Sequence, residues 1–172
     1  MIGSLIVVRF SLIVEKAKKE FDFAELRAIR QRAVGRLFWQ LKRYIDNHME
    51  PQLNNLGYAD FKMSYMMVIS NIEEQGTTNN ELAKRANVTK QMMSKMVSLL
   101  EKEKYIYTTK NPDDSRSSVI FLDDRGKDLL MDVRQCIDKV RVKLDGIVGH
   151  DRMEAFISTM VELVTALGRE EQ

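Results

Sequence analysis

The sequence predicts a mainly α-helical protein with one small β-hairpin, and three observations support this fold class. Glycine and proline are scarce, with 8 and 2 in 172 residues, which favours long helices over a strand-rich fold. Apolar residues recur every three or four positions near both ends of the chain, as they do on one face of a helix. Between these regions, two short helical segments precede two β-prone runs that flank a turn.

Charge is unevenly distributed along an otherwise ordinary composition. The chain is 44% apolar and 30% charged, with a formal net charge of +2, a profile of folded rather than disordered proteins. Residues 84–110 contain seven Lys or Arg and two Glu, so this segment carries +5 and the remainder about −3. Such a basic segment is a candidate surface for phosphate groups, and a solvated helical face is an equally common explanation.

Cysteine and histidine usage supports neither a disulfide framework nor a metal site. Cys136 is the only cysteine, so an intrachain disulfide is impossible and a reducing, cytoplasmic environment is expected. His48 and His150 lie far apart without a ligand-pair spacing, and neither a metal nor a cofactor is expected. The helical pattern around Cys136 favours a buried structural thiol, and an exposed redox-sensing thiol is the alternative.

The first 23 residues are interpreted as an N-terminal extension. Residues 1–14 are apolar with Arg9 in the middle, but a membrane span needs about 20 apolar residues, and the segment lacks a signal-peptide pattern. No membrane association is therefore expected. A strand and a helix that packs on a neighbouring surface both fit this segment.

An amphipathic helix is predicted over residues 24–48. Its apolar residues follow one another at steps of three and four, which places them on one helical face. They are Leu26, Ile29, Ala33, Leu37, Leu41, Ile45 and Met49. Pro51 is expected to close this helix, because proline disfavours helical geometry in the residue before it. Gly57 separates the helix from the next element.

A second helix is predicted over residues 59–74, with Gly76 at the usual glycine position after a helix. Five apolar residues lie on one side of it: Phe61, Tyr65, Val68, Ile69 and Ile72. A cluster of methionines surrounds them: Met63, Met66 and Met67. Core packing is the more common role of such residues, and an adaptable ligand pocket is the alternative.

Two short helices joined by a tight turn are predicted next. Thr78 and Glu81 have the spacing of a capping box, in which each side chain satisfies the other residue's backbone N–H. Asn87 tolerates the left-handed conformation of a tight turn, and Thr89 can cap the second helix. That helix buries Met93, Met96, Val97 and Leu100 and exposes Lys90, Gln91, Ser94 and Lys95. Two short helices with a basic second member are typical of a helix-turn-helix.

A β-hairpin is predicted directly after these helices. Residues 105–110 are rich in β-branched and aromatic side chains, residues 111–115 are turn formers, and residues 118–122 alternate as a returning strand does. A helix-turn-helix followed by such a hairpin predicts a winged helix-turn-helix. A hairpin that binds nothing is the alternative, and the neighbouring basic helix favours the former.

Two further amphipathic helices are predicted at the C-terminal end. Asp123 or Asp124 can cap the first, and its heptad spacing over almost three heptads requires a partner helix. The seam consists of Leu130, Val133, Ile137, Val140, Leu144 and Ile147. Gly149 breaks this helix, and a last helix over residues 153–167 is apolar at Phe156, Ile157, Met160, Val161, Val164 and Leu167. Long helices at both ends predict a dimerisation module built from the two termini.

The order of these elements resembles the MarR family of bacterial transcriptional regulators over residues 24–168. The first motif is Glu81-Leu-Ala, in the first helix of the helix-turn-helix, and the second is Val88-Thr-Lys-Gln-Met-Met-Ser-Lys, which opens the recognition helix. The third is Asp114-Ser-Arg116 followed by Leu122, Asp123 and Gly126, similar to the family's wing signature. The chain departs from the family pattern at Asp123, where a threonine is usual, at Lys104, where a glycine commonly ends the recognition helix, and at Thr108, where an arginine is frequent.

The resemblance implies a mainly α fold, a winged helix-turn-helix with a small β-hairpin wing between long dimerisation helices. The domains are then an extension over residues 1–23, a dimerisation helix and connection over 24–57, a DNA-binding lobe over 58–125, and C-terminal dimerisation helices over 126–172. A homodimer that binds double-stranded DNA sequence-specifically is expected. It is further expected to be a repressor that a small aromatic effector releases from a pseudo-palindromic operator.

The candidate DNA contacts lie on the recognition helix and the wing. A helix fits the major groove with its N-terminal residues at the base edges. The candidates on this helix are Thr89, Lys90, Gln91, Ser94 and Lys95. Arg116 at the wing tip is expected to enter the minor groove, where narrow A·T tracts concentrate negative potential. Asp114 is expected to pair with Arg116 or a nearby basic residue and to hold the shape of the wing.

The resemblance also implies an effector pocket, for which the candidates are Trp39, Tyr65, Met66 and Met67, although core packing explains these residues equally well. Two other function classes compete with a DNA-binding regulator. A winged helix that binds only proteins is the stronger alternative. An enzyme fits poorly, because the sequence has no glycine-rich phosphate loop, no nucleophile motif and no pair of groups at catalytic spacing.

Overall fold

The computed structural model describes residues 22–112, 114 and 116–170. The chain divides into two compact units, residues 1–41 and 42–172. The N-terminal extension predicted over residues 1–23 lies outside the described residues except for its last two. None of the helices over the described residues combines the length and apolar character that a bilayer crossing requires.

The first predicted helix is wrong in one respect, because two helices occupy its place. Helix α1 spans Phe23–Arg32 and begins at Asp22, whose carboxylate accepts a hydrogen bond from the Ala24 N–H at 2.7 Å. Ala33 then adopts an extended conformation, with ψ at 108°, and helix α2 spans Val34–Asn55. The apolar spacing continues across Ala33, so periodicity alone does not reveal the break.

The prediction that Pro51 closes this helix is also wrong, because Pro51 lies inside α2. Proline removes one backbone N–H donor from the helix, but the buried side chains of Met49 and Leu53 hold the helix against the core on both sides of it. The helix ends one turn later at Asn55, and Gly57 in the following turn has a φ of 99° that glycine adopts readily. There the Tyr58 N–H donates to the Leu53 carbonyl at 3.0 Å.

The second predicted helix is much shorter than the sequence pattern indicates. A 3-10 turn at Met63–Tyr65 leads into helix α3, Met66–Ile69. Polar side chains then bond back to the chain, since the Asn71 amide donates to the Met67 carbonyl at 2.8 Å. Such local bonds compete with helix propagation. Gly76 therefore lies in a later loop and does not end this helix, contrary to the prediction.

The helix-turn-helix forms as predicted, with helix α4 over Asn79–Arg85 and helix α5 over Lys90–Lys102. Thr78 and Glu81 make the capping box, and the two bonds that Thr78 donates hold the pKa of Glu81 below its ordinary value. Asn87 has a φ of 50°, the left-handed conformation expected in the turn. The Thr89 hydroxyl accepts a bond from the Met92 N–H at 3.1 Å and caps α5.

The predicted hairpin is part of a three-stranded antiparallel sheet in the order β1-β3-β2. Strand β1 is Thr77–Thr78, β2 is Ile106–Lys110 and β3 is Ser118–Leu122. Ile106 pairs with Leu122 and Lys110 with Ser118, so the hairpin pairs along its whole length. The wing is this β2–β3 hairpin. Strand β1 was not predicted, because two residues are too few to show alternation.

The C-terminal region consists of helix α6, Asp124–Val148, and helix α7, His150–Glu170. Asp123 caps α6 through a bond from the Asp124 N–H at 2.8 Å, as predicted. Cys136 is buried, as predicted, and this burial raises the pKa of its thiol. These helices, the helix-turn-helix and the wing confirm the predicted fold class.

The heptad seam predicted on α6 divides between two environments. Val133 and Val140 belong to the core of the described chain, whereas Ile137 is 47% exposed and Ile147 is 75% exposed. The core face of α6 consists of Leu129, Val133, Cys136 and Val140, again at steps of three and four. A single apolar spacing thus contains residues that pack within the lobe and residues that remain on the surface.

Candidate nucleic-acid interface

The outer face of α5 is largely polar and basic, because four apolar residues of the helix point into the core, although Met92 and Leu99 are 49% and 46% exposed. Met93, Met96, Val97 and Leu100 are buried. The predicted contact residues Lys90, Gln91, Ser94 and Lys95 are all exposed. The Ser94 hydroxyl donates to the Lys90 carbonyl at 2.9 Å, so in this structure it is turned toward the helix backbone. The exposed side chains place two positive charges and one amide on a face that is free of acidic residues in its first two turns.

Thr89 contributes to this face by fixing where the helix starts. The first N–H groups of a helix have no partner within it, and their partial positive charge favours anions such as phosphate. The Thr89 hydroxyl accepts a hydrogen bond from the Met92 N–H. The N-terminal end of α5 therefore lies beside the side chains of Lys90 and Gln91. The exposed position of Thr89 is compatible with the predicted phosphate contact.

We expect Thr89→Ala to lower the free energy of unfolding by about 1 kcal/mol, the usual contribution of such a cap. Urea unfolding followed by circular dichroism measures this change. Thr89→Ser, which keeps the accepting oxygen, is the matched control and should stay near the wild-type midpoint. Equal midpoints for the alanine and serine variants would show that the bond to Met92 contributes nothing.

The wing and α5 border a common cleft of about 360 Å³. Ser94 and Ser98 line it from the helix, Arg116 and Ser118 from the wing, and Asn79 from the start of α4. A second, more open depression is lined by Gln91, Ser94, Lys95, Ser98 and Leu99. Because Ser94 borders both, the basic face of α5 and Arg116 of the wing are accessible from one side of the lobe.

Asp114 contacts Arg116 through the backbone. The Arg116 N–H donates to the Asp114 carboxylate at 3.0 Å, and the Ser117 N–H donates to the Asp114 carbonyl at 3.0 Å. This is the turn geometry that aspartate favours. The contact differs from the expected pairing of two charged side chains, although it joins the same two residues. The Arg116 side chain is exposed at the wing tip.

A link between α5 and the wing was not predicted from the sequence. Glu101 accepts two hydrogen bonds from Thr108, one from its N–H at 3.0 Å and one from its hydroxyl at 2.6 Å. Thr108 is the position where the family frequently has arginine. In this chain the Thr108 hydroxyl adds a bond through which Glu101 holds strand β2 against α5. Glu101 and Thr108 are seven residues apart in the sequence, and no local sequence motif has this spacing.

The connection from α5 into the wing is strained at Lys104, where the sequence departs from the glycine of the family pattern. Lys104 has a φ of 60°, a conformation that costs a residue with a side chain about 1 kcal/mol or more. Its N–H donates to the Glu101 carbonyl at 3.0 Å, and the Tyr105 N–H donates to the Leu100 carbonyl at 2.9 Å. These bonds retain the turn without glycine.

A polar cluster behind α5 was also not predicted. The Arg125 guanidinium forms two parallel bonds to the Asp60 carboxylate, at 2.8 and 2.9 Å. The Tyr105 hydroxyl donates to the same carboxylate at 2.9 Å. Burial raises the pKa of Tyr105 and the neighbouring carboxylate raises it further, so the phenol remains protonated. Asp60 and Arg125 are 65 residues apart, and the sequence holds no signal that pairs them.

The predicted effector-pocket residues fall into two groups. Tyr65, Met66 and Met67 are half-buried and pack against the core of the second unit. Trp39 belongs to the first unit and is 59% exposed. A pocket that joins these residues remains a prediction, and core packing accounts for the three in the second unit.

The fold and the exposed basic helix define a class, the winged helix-turn-helix proteins. Solved structures share this fold at low sequence identity. The reduced form of MarR from E. coli has a TM-score of 0.65 at 20% identity, covering 76% of this chain and 95% of that one. The S. aureus MepR–DNA complex has a TM-score of 0.60 at 18% identity, covering 86% and 99%. A transcriptional regulator from Thermotoga maritima has a TM-score of 0.54 at 18% identity, covering 79% and 94%.

Within this class, one family model matches part of the sequence. Residues 62–118, from the start of the lobe through the wing tip, match the MarR family model. No match was found among curated protein sequences. This segment is therefore similar to the MarR family, and the solved structures share the winged helix-turn-helix fold of the described residues.

Proposed function

We propose that this protein is a MarR family DNA-binding transcriptional regulator. It acts as a homodimer on a pseudo-palindromic operator, with one α5 recognition helix in each of two successive major grooves. The observation that carries the proposal is the common exposure of the basic face of α5 and of Arg116 on one side of the lobe. A duplex presents a major groove flanked by minor grooves, so a helix and a wing that face the same way fit it together. S. aureus MepR, a relative in fold whose structure was solved as a complex with DNA, supports this mode.

Specific contacts follow from the chemistry of the exposed side chains. Gln91 has the paired donor and acceptor that read adenine, and Lys95 can donate to guanine or to a phosphate. Lys90, in the first turn, is placed for a phosphate. Arg116 would enter the minor groove, where its charge is most favourable in narrow A·T-rich tracts.

The dimer is supported by apolar surface that the single chain leaves uncovered. On α7, Leu163 is 53%, Val164 66% and Leu167 56% exposed, and these residues share one side of the helix. Contiguous apolar surface of this kind marks an interaction site on a folded protein. A second copy is its proposed partner, since a two-fold dimer pairs the same patch with itself and a pseudo-palindrome requires two lobes.

Repression and release are the finer part of the proposal. A dimer bound over a promoter would exclude other proteins from it, and an effector would release the operator by favouring a conformation with a different half-site spacing. Tyr65, Met66 and Met67, which pack around the start of the lobe, supply apolar and adaptable surface for a small aromatic ligand. A promoter reporter with and without the regulator, titrated with aromatic acids, distinguishes repression from activation.

Arg116→Ala is expected to weaken operator binding about tenfold or more and to reduce the salt slope by about one, as the loss of one DNA-contacting cation does. Fluorescence anisotropy at several salt concentrations measures both, with DNA from upstream of the regulator's own gene as the first operator. Lys139→Ala removes one exposed charge from α6 and serves as the charge-matched control. Unchanged affinity and slope in Arg116→Ala would exclude the wing from the interface.

A winged helix that binds only proteins is the second candidate, favoured by the apolar surface on α7. This candidate predicts a different result for the same anisotropy titration with DNA. Binding would be weak, strongly salt-dependent and equal for operator and competitor DNA, because only the basic surface would act. A specific complex that survives competitor DNA at a stated salt concentration excludes it.

A further inference from the structure

Arg125, the second residue of α6, joins three segments of the lobe through one guanidinium group. Two of its bonds reach the Asp60 carboxylate, as described above. The group also donates to the Glu103 carbonyl at 2.7 Å and to the Gly57 carbonyl at 3.2 Å. Arginine has five donors in a fixed planar fork, and four bonds are made here.

The segments that meet at Arg125 include the residue that ends α5. Glu103 directly follows the last turn of α5, and Gly57 and Asp60 lie in the connection between α2 and α3. Arg125 itself belongs to α6, a helix of 25 residues that leads toward the C-terminal helix α7. The cluster therefore fixes the end of the recognition helix to the base of a long helix.

Aromatic residues make this joint rigid. Tyr105 is 1% exposed, and its ring lies 4.3 Å from the Arg125 guanidinium carbon, in cation–π geometry. Its hydroxyl shares the Asp60 carboxylate. Tyr58 adds a second connection to α6, because its hydroxyl donates to Asp132 at 2.7 Å. Burial opposes ionisation of Asp60, but its hydrogen bonds to Arg125 and Tyr105 outweigh this and keep its pKa low.

We propose that Arg125 is a positioning residue for DNA binding, which sets the angle between α5 and α6 and thereby the distance between the two recognition helices of the dimer. This role rests on the proposed homodimer. Two lobes reach a pseudo-palindromic site only when their recognition helices are about one helical turn of DNA apart. A rotation at the base of α6 changes that distance without removing any DNA contact. Arg125 therefore controls the preferred half-site spacing.

The variant that isolates this role is Arg125→Lys, which keeps the charge and loses the planar fork. Its affinity is measured by anisotropy on the full operator, on operators with one base pair added or removed between the half-sites, and on an isolated half-site. We expect about tenfold weaker binding to the native spacing, from a loss of coupling between lobe and dimer. Half-site affinity should stay within about twofold of wild type, and the preference for one spacing should flatten.

Two controls separate positioning from stability. Val140→Ala removes core contacts of α6 away from the joint and, compared at equal fraction folded, should keep the wild-type spacing preference. Asp60→Asn retains the size of the partner and removes its charge, and it should reproduce the flattened preference. This second variant also provides the test if Arg125→Lys does not fold.

The outcomes have distinct meanings. A wild-type preference for spacing retained in both Arg125→Lys and Asp60→Asn overturns the positioning role, as does an equal loss on every DNA, the half-site included. A wild-type protein that binds the operator and the isolated half-site equally overturns the proposed dimeric function, and the role of Arg125 with it. A flattened preference with unchanged half-site affinity supports the proposal.

Discussion

Gly126→Ala is expected to lower the free energy of unfolding by about 2–3 kcal/mol, the upper part of the usual range for atoms forced into a well-packed site. A Cβ added at Gly126 would lie 2.1 Å from the Tyr105 carbonyl oxygen and 3.1 Å from its carbon. Both atoms belong to backbone, which cannot rotate away as a side chain can. The first turn of α6 would have to move off strand β2.

That movement would cost more than one contact. The Asp123 N–H donates to the same Tyr105 carbonyl at 3.0 Å, so this bond anchors the start of α6 to the residue that precedes β2. Displacing α6 would also separate Arg125 from Glu103, which it bonds at 2.7 Å. The glycine of the wing signature is thus explained by a close backbone approach, and the expected loss exceeds the gain of about 1 kcal/mol that alanine brings to a helix.

Gly146→Ala in the same helix is the matched control, because a Cβ at Gly146 meets no atom within 4 Å. It should leave the protein unchanged or more stable by up to about 1 kcal/mol. Urea unfolding of both variants, followed by circular dichroism, gives the comparison. Similar midpoints for the two alanine variants would show that α6 does not approach Tyr105 this closely.

The parts of the structure that could be predicted from the sequence are those determined by local chemistry. Thr78 with Glu81, Asn87, Thr89 and Asp123 each act on backbone groups within a few residues, so their spacing is enough to locate the ends of helices. The hairpin is likewise specified by β-prone runs around a turn. These local signals are sufficient to predict the winged helix-turn-helix and the exposed face of α5.

The features that the sequence did not predict depend instead on contacts between distant parts of the chain. The helix continues past Pro51 because the burial of Met49 and Leu53 outweighs one missing hydrogen bond, and burial depends on the whole fold. The pairs Asp60–Arg125 and Glu101–Thr108 join residues that are distant in sequence or on different elements, so neither spacing nor composition predicts them. The proposed contact residues Gln91 and Arg116 are exposed, and the proposed partner of both is another molecule.

The heptad seam of α6 contains both core residues and exposed residues, so variants on α6 are not the best test of the proposed dimer. Val133 is 4% exposed, so a charge there would disrupt the core of the lobe and would report on folding rather than on association. Val164 and Leu167 of α7 are exposed in the single chain. Charges at these two positions are solvated in a monomer and become costly only when a second copy covers them.

The double variant Val164→Glu with Leu167→Glu is therefore expected to be a folded monomer. Dimerisation should weaken about 100-fold or more, since burial of two unpaired carboxylates costs several kcal/mol. Light scattering coupled to size-exclusion chromatography measures the mass, and circular dichroism verifies the helices. Affinity for the full operator should fall to that of an isolated half-site, because one lobe then binds alone.

Ser158→Glu with Thr165→Glu is the control, since it adds the same charge on the opposite side of α7, where both residues are exposed. Their seven-residue separation keeps them on one helical face. This variant should remain dimeric and bind the full operator as the wild type does. If the Val164 and Leu167 variant also remained dimeric at micromolar concentration, α7 could not form the interface, and the dimer would have to use another surface. If both variants were monomeric, added negative charge rather than burial of the apolar face would be the cause.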